Sequence, residues 1–267
     1  ALARDYPFSE YVPDAQFRRA VVLYRLERYE AALSVLQRVE ARYRSTRFLS
    51  LVPFWKGVTQ YRLGNYPEAE RELERFLDES ERETLRRQAW LYHALTMLAG
   101  NRRDEAVESL ETLFSEVEVP ESQSYGLSLL LSLYIRDEAY EKAVELFDRV
   151  DPTLVEEQWQ SNVRLYGAEA LRAVGRTEEA LEVFLDLTEA GPAVSATAFQ
   201  RAYELSQRLG RTETARQVVQ RAEQSLAGRT DVLRELWVQV GVQSYRNDRI
   251  ATAELYLSRV WELQEEE

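Results

Sequence analysis

The 267 residues predict an all-α solenoid of about seven helix-turn-helix units, and three observations predict it. An alanine returns every 37 residues at Ala32, Ala69, Ala106, Ala143 and Ala180, then with small slips at Ala215 and Ala253. Apolar residues between these marks keep helical spacing, as in Phe17, Ala20, Val21 and Tyr24, then Tyr29, Ala32, Leu33 and Leu36. Gly64, Gly175 and Gly210 stand five residues before their alanines, where a helix must end and the chain can turn with positive φ. A fixed period of this size marks an array whose units pack on their neighbours. The same shift pairs Tyr6 with Tyr43, Phe17 with Phe54, Tyr24 with Tyr61, Arg25 with Arg62, Leu26 with Leu63 and Tyr29 with Tyr66.

In chain order the spacing predicts helix pairs near 9–26 and 29–43, 46–63 and 66–79, 83–99 and 103–115, 122–136 and 139–150. The remaining pairs are 155–174 and 177–189, 194–209 and 212–226, 230–246 and 249–265, giving at least thirteen helices and no sheet. Pro13, Pro53, Pro120, Pro152 and Pro192 fall at or near the starts of first helices or in the links before them, where a missing N–H does no harm. Asn65 and Glu68 have capping-box spacing, with Pro67 in the same first turn. Residues 1–12 read as a lead-in, with 1–8 as the remnant of a preceding unit because Tyr6 echoes Tyr43. Units near 13–49, 50–86, 87–123, 124–160, 161–195, 196–233 and 234–267 then form a single solenoid.

The recurring alanine has a steric reason, since two helices that cross closely need a small side chain at the crossing. Twelve residues upstream is a second small position, read as Ala20, Gly57, Ala94, Ala168 and Gly241, with Leu131 and Tyr203 breaking it. Four residues after the alanine comes a larger side chain, Leu36, Leu73, Leu110, Phe147, Phe184, Val219 or Leu257, expected to fill the space between units.

Composition bounds the function. Hydrophobic residues at 45% supply a continuous core, and 30% charged residues coat the outside. A formal net charge of -12, from 34 Lys+Arg against 46 Asp+Glu, works against nucleic acid, whose affinity comes from basic side chains displacing counterions. No run approaches the roughly 18 apolar residues of a membrane span. The absence of cysteine removes disulfides, thiolate metal sites and a Cys nucleophile. The chain opens at Ala1 with neither an initiator Met nor a signal peptide, which suggests a processed or truncated N-terminus.

The order of small residue, turn glycine, aromatic, alanine and then Leu or Phe resembles the tetratricopeptide repeat (TPR), whose usual unit is about 34 residues. The longer period here implies slightly longer helices or links, and in the third unit the glycine comes one residue early, at Gly100. The resemblance implies a right-handed superhelix whose first helices line a concave groove that binds a protein or peptide segment. Tyr6, Pro7, Ser9 and Pro13, echoed by Tyr43 and Ser45, are similar to the links of bacterial extracytoplasmic TPR proteins of the outer-membrane assembly lipoprotein or Tol-associated type, although Arg44 replaces the second proline. That narrower resemblance implies a periplasmic or cell-envelope scaffold. The alternatives are a regulatory or assembly module of a larger cytoplasmic protein, or a self-associating scaffold forming a homo-oligomer.

Counting 15 and 11 residues back from each alanine gives the groove positions that the resemblance implies: Phe17 and Val21, Phe54 and Val58, Leu91 and Leu95. Tyr24 and Tyr61 extend this apolar strip, with Arg25 and Arg62 beside it, and the ten residues form the expected partner-binding surface. Farther along, Ser128 and Ser132, Leu165 and Glu169, Gln200 and Glu204 turn polar before Val238 and Val242. Arg25, Arg62, Arg136, Arg208 and Arg246 recur seven residues before the alanine, either gripping carboxylates of an acidic partner or capping first-helix C-termini and pairing with nearby Glu. The TPR clamp for acidic chaperone tails needs Lys and Asn where Phe17 and Val21, or Phe54 and Val58, stand, so this chain does not resemble a cochaperone.

No catalytic, cofactor or metal residues are expected. His93 is the single histidine, and its helical neighbours Ala89, Trp90 and Met97 are not ligands, which makes it a structural residue. The chain has no phosphate-cradling glycine loop, no HExxH and no nucleophile elbow. Glu81 to Glu83 and Glu265 to Glu267 read as solvated helix or frayed end. Trp90 and Trp237 should pack between helices, and Trp55, Trp159 and Trp261 should make contacts special to one unit.

Overall fold

The structure, a computed structural model, describes residues 9, 11–43, 46–115, 123–190 and 192–265. Among these residues it holds fourteen α-helices and no strand. The chain divides into two compact units, Ala1–Val119 and Pro120–Glu267.

The first unit holds three helix pairs: α1 (Val12–Arg25) with α2 (Tyr29–Arg42), α3 (Val52–Arg62) with α4 (Tyr66–Glu79), and α5 (Glu83–Ala99) with α6 (Arg103–Leu113). The second holds four: α7 (Ser124–Arg136) with α8 (Tyr140–Asp148), α9 (Glu157–Ala173) with α10 (Thr177–Leu187), α11 (Pro192–Arg208) with α12 (Thr212–Ser225), and α13 (Thr230–Arg246) with α14 (Ile250–Glu265). Each is a helical-repeat solenoid in which second helices also pack on the following first helix, α2 on α3, α4 on α5 and α10 on α11 among them. The expected helix over 46–63 is shorter. Pro53 opens α3, and residues Leu49–Leu51 wind as a tighter 3₁₀ turn before it. The lead-in remnant at residues 1–8 lies outside the described residues.

All seven turns are built alike. A residue with positive φ follows each first helix: Glu27, Gly64, Asn101, Glu138, Gly175, Gly210 and Asp248. The next residue donates its N–H back to the carbonyl five residues earlier, as in Asn65 to Gln60 at 3.0 Å and Arg176 to Leu171 at 2.9 Å. Its own carbonyl accepts from the recurring alanine and so opens the second helix, as in Arg176 to Ala180 at 3.0 Å. The third unit is therefore in register. Gly100 keeps an ordinary φ of -86, and Asn101 takes the left-handed position at +59.

The capping box at Asn65 and Glu68 does not form. The Asn65 amide turns back to donate to Gln60 Oε1 at 2.8 Å, and α4 starts on the Asn65 backbone carbonyl alone.

Each of the seven alanines is buried, from 0% exposed at Ala32 to 3% at Ala253. The small position twelve residues earlier faces the large one four residues later. A Cβ at Gly57 would stand 2.7 Å from Leu73 Cγ within the same pair. At Gly167 it would overlap the ring of Phe147 from the preceding pair. The large side chain thus serves the seam within a pair as well as the seam between pairs.

A charged cluster sits among α2, α3 and α4. Lys56, whose side chain is 10% exposed, reaches Glu40 at 2.9 Å and also pairs with Glu72, while Arg75 holds Glu40 at 2.7 Å. Burial pushes the Glu40 carboxyl up, but the Lys56 and Arg75 hydrogen bonds and charges outweigh it and hold the group below its ordinary 4.5. Arg75 also reaches Glu72 at 3.5 Å and Glu79 at 3.3 Å, so two cations meet three carboxylates.

Two predictions follow from the turn and from this cluster. Gly175 has open space around it, so Gly175→Ala isolates backbone strain and should cost about 1–2 kcal/mol, whereas Glu138→Gly should stabilise; urea unfolding of both variants measures the pair. Because the folded-state value of Glu40 is depressed, its contribution is complete above about pH 4.5 and is lost as pH falls further. Urea midpoints of wild type and Glu40→Gln should therefore converge in acid. A gap that stays constant down to pH 3 counts against this assignment.

Candidate protein-interaction surface

The first helices of the first unit bring aromatic rings from three successive pairs together. Tyr24 of α1, Trp55 and Tyr61 of α3, and Tyr92 of α5 are each half-buried. Tyr24 meets Trp55 edge-on with ring centroids 5.3 Å apart, and Tyr61 meets Tyr92 at 5.7 Å. The Tyr24 and Tyr92 hydroxyls, 68 residues apart in sequence, stand 3.5 Å from each other. Tyr29 and Tyr66, the first residues of α2 and α4, lean against Tyr24 and Tyr61 at 5.5 and 6.1 Å. The alanine period places them, because Tyr24 and Tyr61 occupy the same position eight residues before it.

Arg62 completes the wall. Its guanidinium hydrogen-bonds the Tyr24 hydroxyl, which with the nearby phenols holds it firmly charged. Burial, then the bond to Tyr24, pushes the Tyr92 phenol up, so it stays neutral and able to donate. The surface therefore offers flat apolar faces, phenol hydroxyls and one fixed cation, the side-chain types that dominate measured interfaces.

The expected ten-residue surface is only partly open. Phe17, Phe54 and Val58 are 4%, 3% and 2% exposed and belong to the hydrophobic core of the unit. The link between the first two pairs lays Phe48 across Phe17 with ring centroids 4.7 Å apart, and Phe76 of α4 closes on Phe54 at 5.3 Å. Their positions face the seam with second helices, so a partner cannot reach them. Val21, Tyr24, Tyr61, Leu91 and Leu95 remain half-buried, and Arg25 and Arg62 are exposed. Trp55 and Tyr92 belong to the wall and were missed as groove residues, although both stand fourteen residues before an alanine.

The recurring arginines divide by position. Arg62 binds Tyr24, and Arg208 pairs with Glu204 of its own helix at 3.1 Å. A second row, four residues before the alanine, links successive pairs: Arg102 to Glu70 at 2.7 Å, Arg176 to Asp148 at 2.6 Å, Arg211 to Glu178 at 3.3 Å. Arg28, Arg102, Arg176, Arg211 and Arg249 carried that signal in the sequence.

In the second unit the polar first-helix positions satisfy one another. Arg201 of α11 bonds Glu169 of α9 at 2.6 Å and Glu204 at 3.1 Å, and Arg172 holds the other oxygen of Glu169 at 2.8 Å. An apolar pocket of about 390 Å³ lies among Phe147, Pro152, Val155, Val163 and Val183. Its polar neighbours are already engaged, Gln160 with the Val155 carbonyl at 2.9 Å and Arg164 with Asp186 at 2.7 Å.

Of the tryptophans, Trp237 donates to Glu223 at 3.0 Å under the Arg259 guanidinium, Trp159 packs on Tyr125 at 4.9 Å, and Trp90 packs on His93 at 5.8 Å. Trp261 is 65% exposed. The neighbours of His93 along its own helix are not ligands, but α4 brings Glu70 and Glu74 to it, an approach invisible to spacing within one helix.

Stacked helix pairs closed by one repeated turn define an all-α helical-repeat protein. Residues 1–45 and 56–112 match the family model described as tetratricopeptide repeat, and the chain has the fold of tetratricopeptide-repeat solenoids. Its structure is similar to the C-terminal part of a TPR repeat-containing protein from Cytophaga hutchinsonii, with TM-score 0.67 and 14% identity over 91% of this chain and 93% of that one. A tetratricopeptide repeat protein from Parabacteroides merdae gives TM-score 0.53 and 16% identity over 94% and 92%. The apo form of RapI gives 0.58 and 11% over 96% and 77%. No curated protein matches the sequence. No helix among the described residues is long and apolar enough to cross a membrane.

Proposed function

We propose that this protein is a non-catalytic interaction scaffold that takes a peptide or protein segment against the aromatic wall of its first three repeats. The observation that carries this reading is the meeting of Tyr24, Trp55, Tyr61 and Tyr92 from three first helices, half-open to solvent, around the fixed charge of Arg62. Rigid rings lose little entropy on binding, and a guanidinium beside them favours a segment that carries carboxylates among apolar residues. The non-catalytic reading is supported by the fate of the clustered charges, which Lys56, Arg75, Arg172 and Arg201 consume in ion pairs. A place in a bacterial envelope assembly is supported by the resemblance of Tyr6, Pro7, Ser9 and Pro13 to extracytoplasmic links.

A captured partner titrated against Tyr61→Ala should bind about 1–3 kcal/mol more weakly than against wild type, with helix content unchanged. Phe54→Ala is the wrong probe, because it opens a cavity in the core. Equal affinity for wild type and Tyr61→Ala would remove this wall from consideration.

A second reading, self-association, has its own support. Val238, Val242 and Tyr245 of α13 and Leu255, Leu257 and Trp261 of α14 are exposed apolar side chains on adjacent helices. Under that reading, sedimentation shows a dimer that Leu257→Glu with Val242→Glu returns to monomer; a monomer at every concentration removes it.

A further inference from the structure

His93 is held in one tautomer. Ser109 Oγ donates to the Glu105 carbonyl at 2.7 Å, so it can only accept from His93 Nδ1–H, 2.8 Å away. The neutral imidazole therefore presents a bare lone pair at Nε2. That nitrogen is out of solvent and has no hydrogen-bond partner. What it faces is another acceptor, Glu74 Oε1 at 3.9 Å, with Glu70 beside it; one ligand atom from each of the three residues lies within 4.8 Å of the others.

Two acceptors facing each other repel, and a cation between them turns that repulsion into attraction. The charges acting on the ring are Glu74, Glu70 and Glu105 against Arg102, three negative to one positive, which leaves a surplus of two.

From this geometry we propose that Glu70, Glu74 and His93 form a binding site for a divalent transition cation of the zinc class. The imidazole nitrogen selects against calcium and magnesium, which take oxygen ligands. In a tetrahedral site with ligand distances near 2.0–2.2 Å, neighbouring ligand atoms stand about 3.4 Å apart, so the three groups need only a modest contraction. The Glu74 side chain, 56% exposed, is free to make it. Water takes the fourth position. Ser109 on His93 and Arg102, bonded to both Glu70 oxygens at 2.8 and 2.7 Å, orient the ligands as outer partners do in metal sites. This site lies between α4 and α5 and does not depend on the aromatic wall.

The test is calorimetric titration of the chelator-treated full chain with Zn²⁺ in the presence of excess Mg²⁺. The expected result is one site per chain, weakened at least about tenfold in Glu74→Gln and in His93→Gln. Glu74→Gln alters an exposed side chain and keeps the test valid if His93→Gln fails to fold. Ser109→Ala, the positioning variant, should weaken Zn²⁺ by about 10–100-fold and shift the ring towards its other tautomer in ¹⁵N spectra. Absence of Zn²⁺ binding, or affinity equal to wild type in Glu74→Gln, overturns the site. An unchanged tautomer in Ser109→Ala overturns the role of Ser109.

Discussion

One residue in each repeat carries the fold, the one immediately after the left-handed position. Its N–H closes the first helix and its carbonyl opens the second, as Arg102 does with Met97 at 2.9 Å and Ala106 at 3.1 Å. Because both bonds belong to one peptide segment, the link between helices cannot lengthen without breaking one of them. The alanine four residues on is thereby held in the first turn of the second helix, against the first helix, where any larger side chain would overpack. Burial of all seven alanines follows from this turn, and so does the side-by-side placement of successive first helices. The aromatic wall of the first unit is a consequence of that placement.

The turn explains why the period was legible while its chemistry was half hidden. Glycine marks three of the seven left-handed positions, and the other four hold Glu27, Asn101, Glu138 and Asp248. A side chain there costs roughly 1–2 kcal/mol and persists because the surrounding bonds over-determine the backbone. Gly100 shows the limit of reading residues singly. A glycine at the end of a helix suggested a slipped unit, but the backbone N–H groups of Gly100, Asn101 and Arg102 keep the third turn in the same pattern as the others. Asn65 failed for a related reason. Its spacing to Glu68 described a cap, and Gln60, one turn away on another helix, competed for the amide.

The site was less legible than the fold, and the reason is tertiary. Phe17 and Phe54 occupy positions that line a groove in the family the sequence resembles. Here Phe48 from a link and Phe76 from a second helix cover them, and neither cover was visible from first-helix spacing. Tyr24, Tyr61 and Arg62 were recognised because they recur. Tyr92 was not, because its role depends on a hydroxyl 68 residues away. Composition gave no hint of Lys56 either. A buried lysine reads as surface charge until the carboxylates of Glu40 and Glu72, each 16 residues distant, are placed around it.

The charged side chains also show where this scaffold has room for chemistry. Exposed ion pairs between successive turns are individually weak, so Arg176 with Asp148 and Arg211 with Glu178 tune the seam more than they hold it. Arg102 is different in its surroundings. It joins Glu70 of one pair to Glu105 of the next, directly beside His93. The seam between the second and third pairs sets α4 against α5. A polar residue placed there acquires fixed neighbours from both pairs, which single-helix spacing cannot reveal and which a flexible surface loop could not maintain.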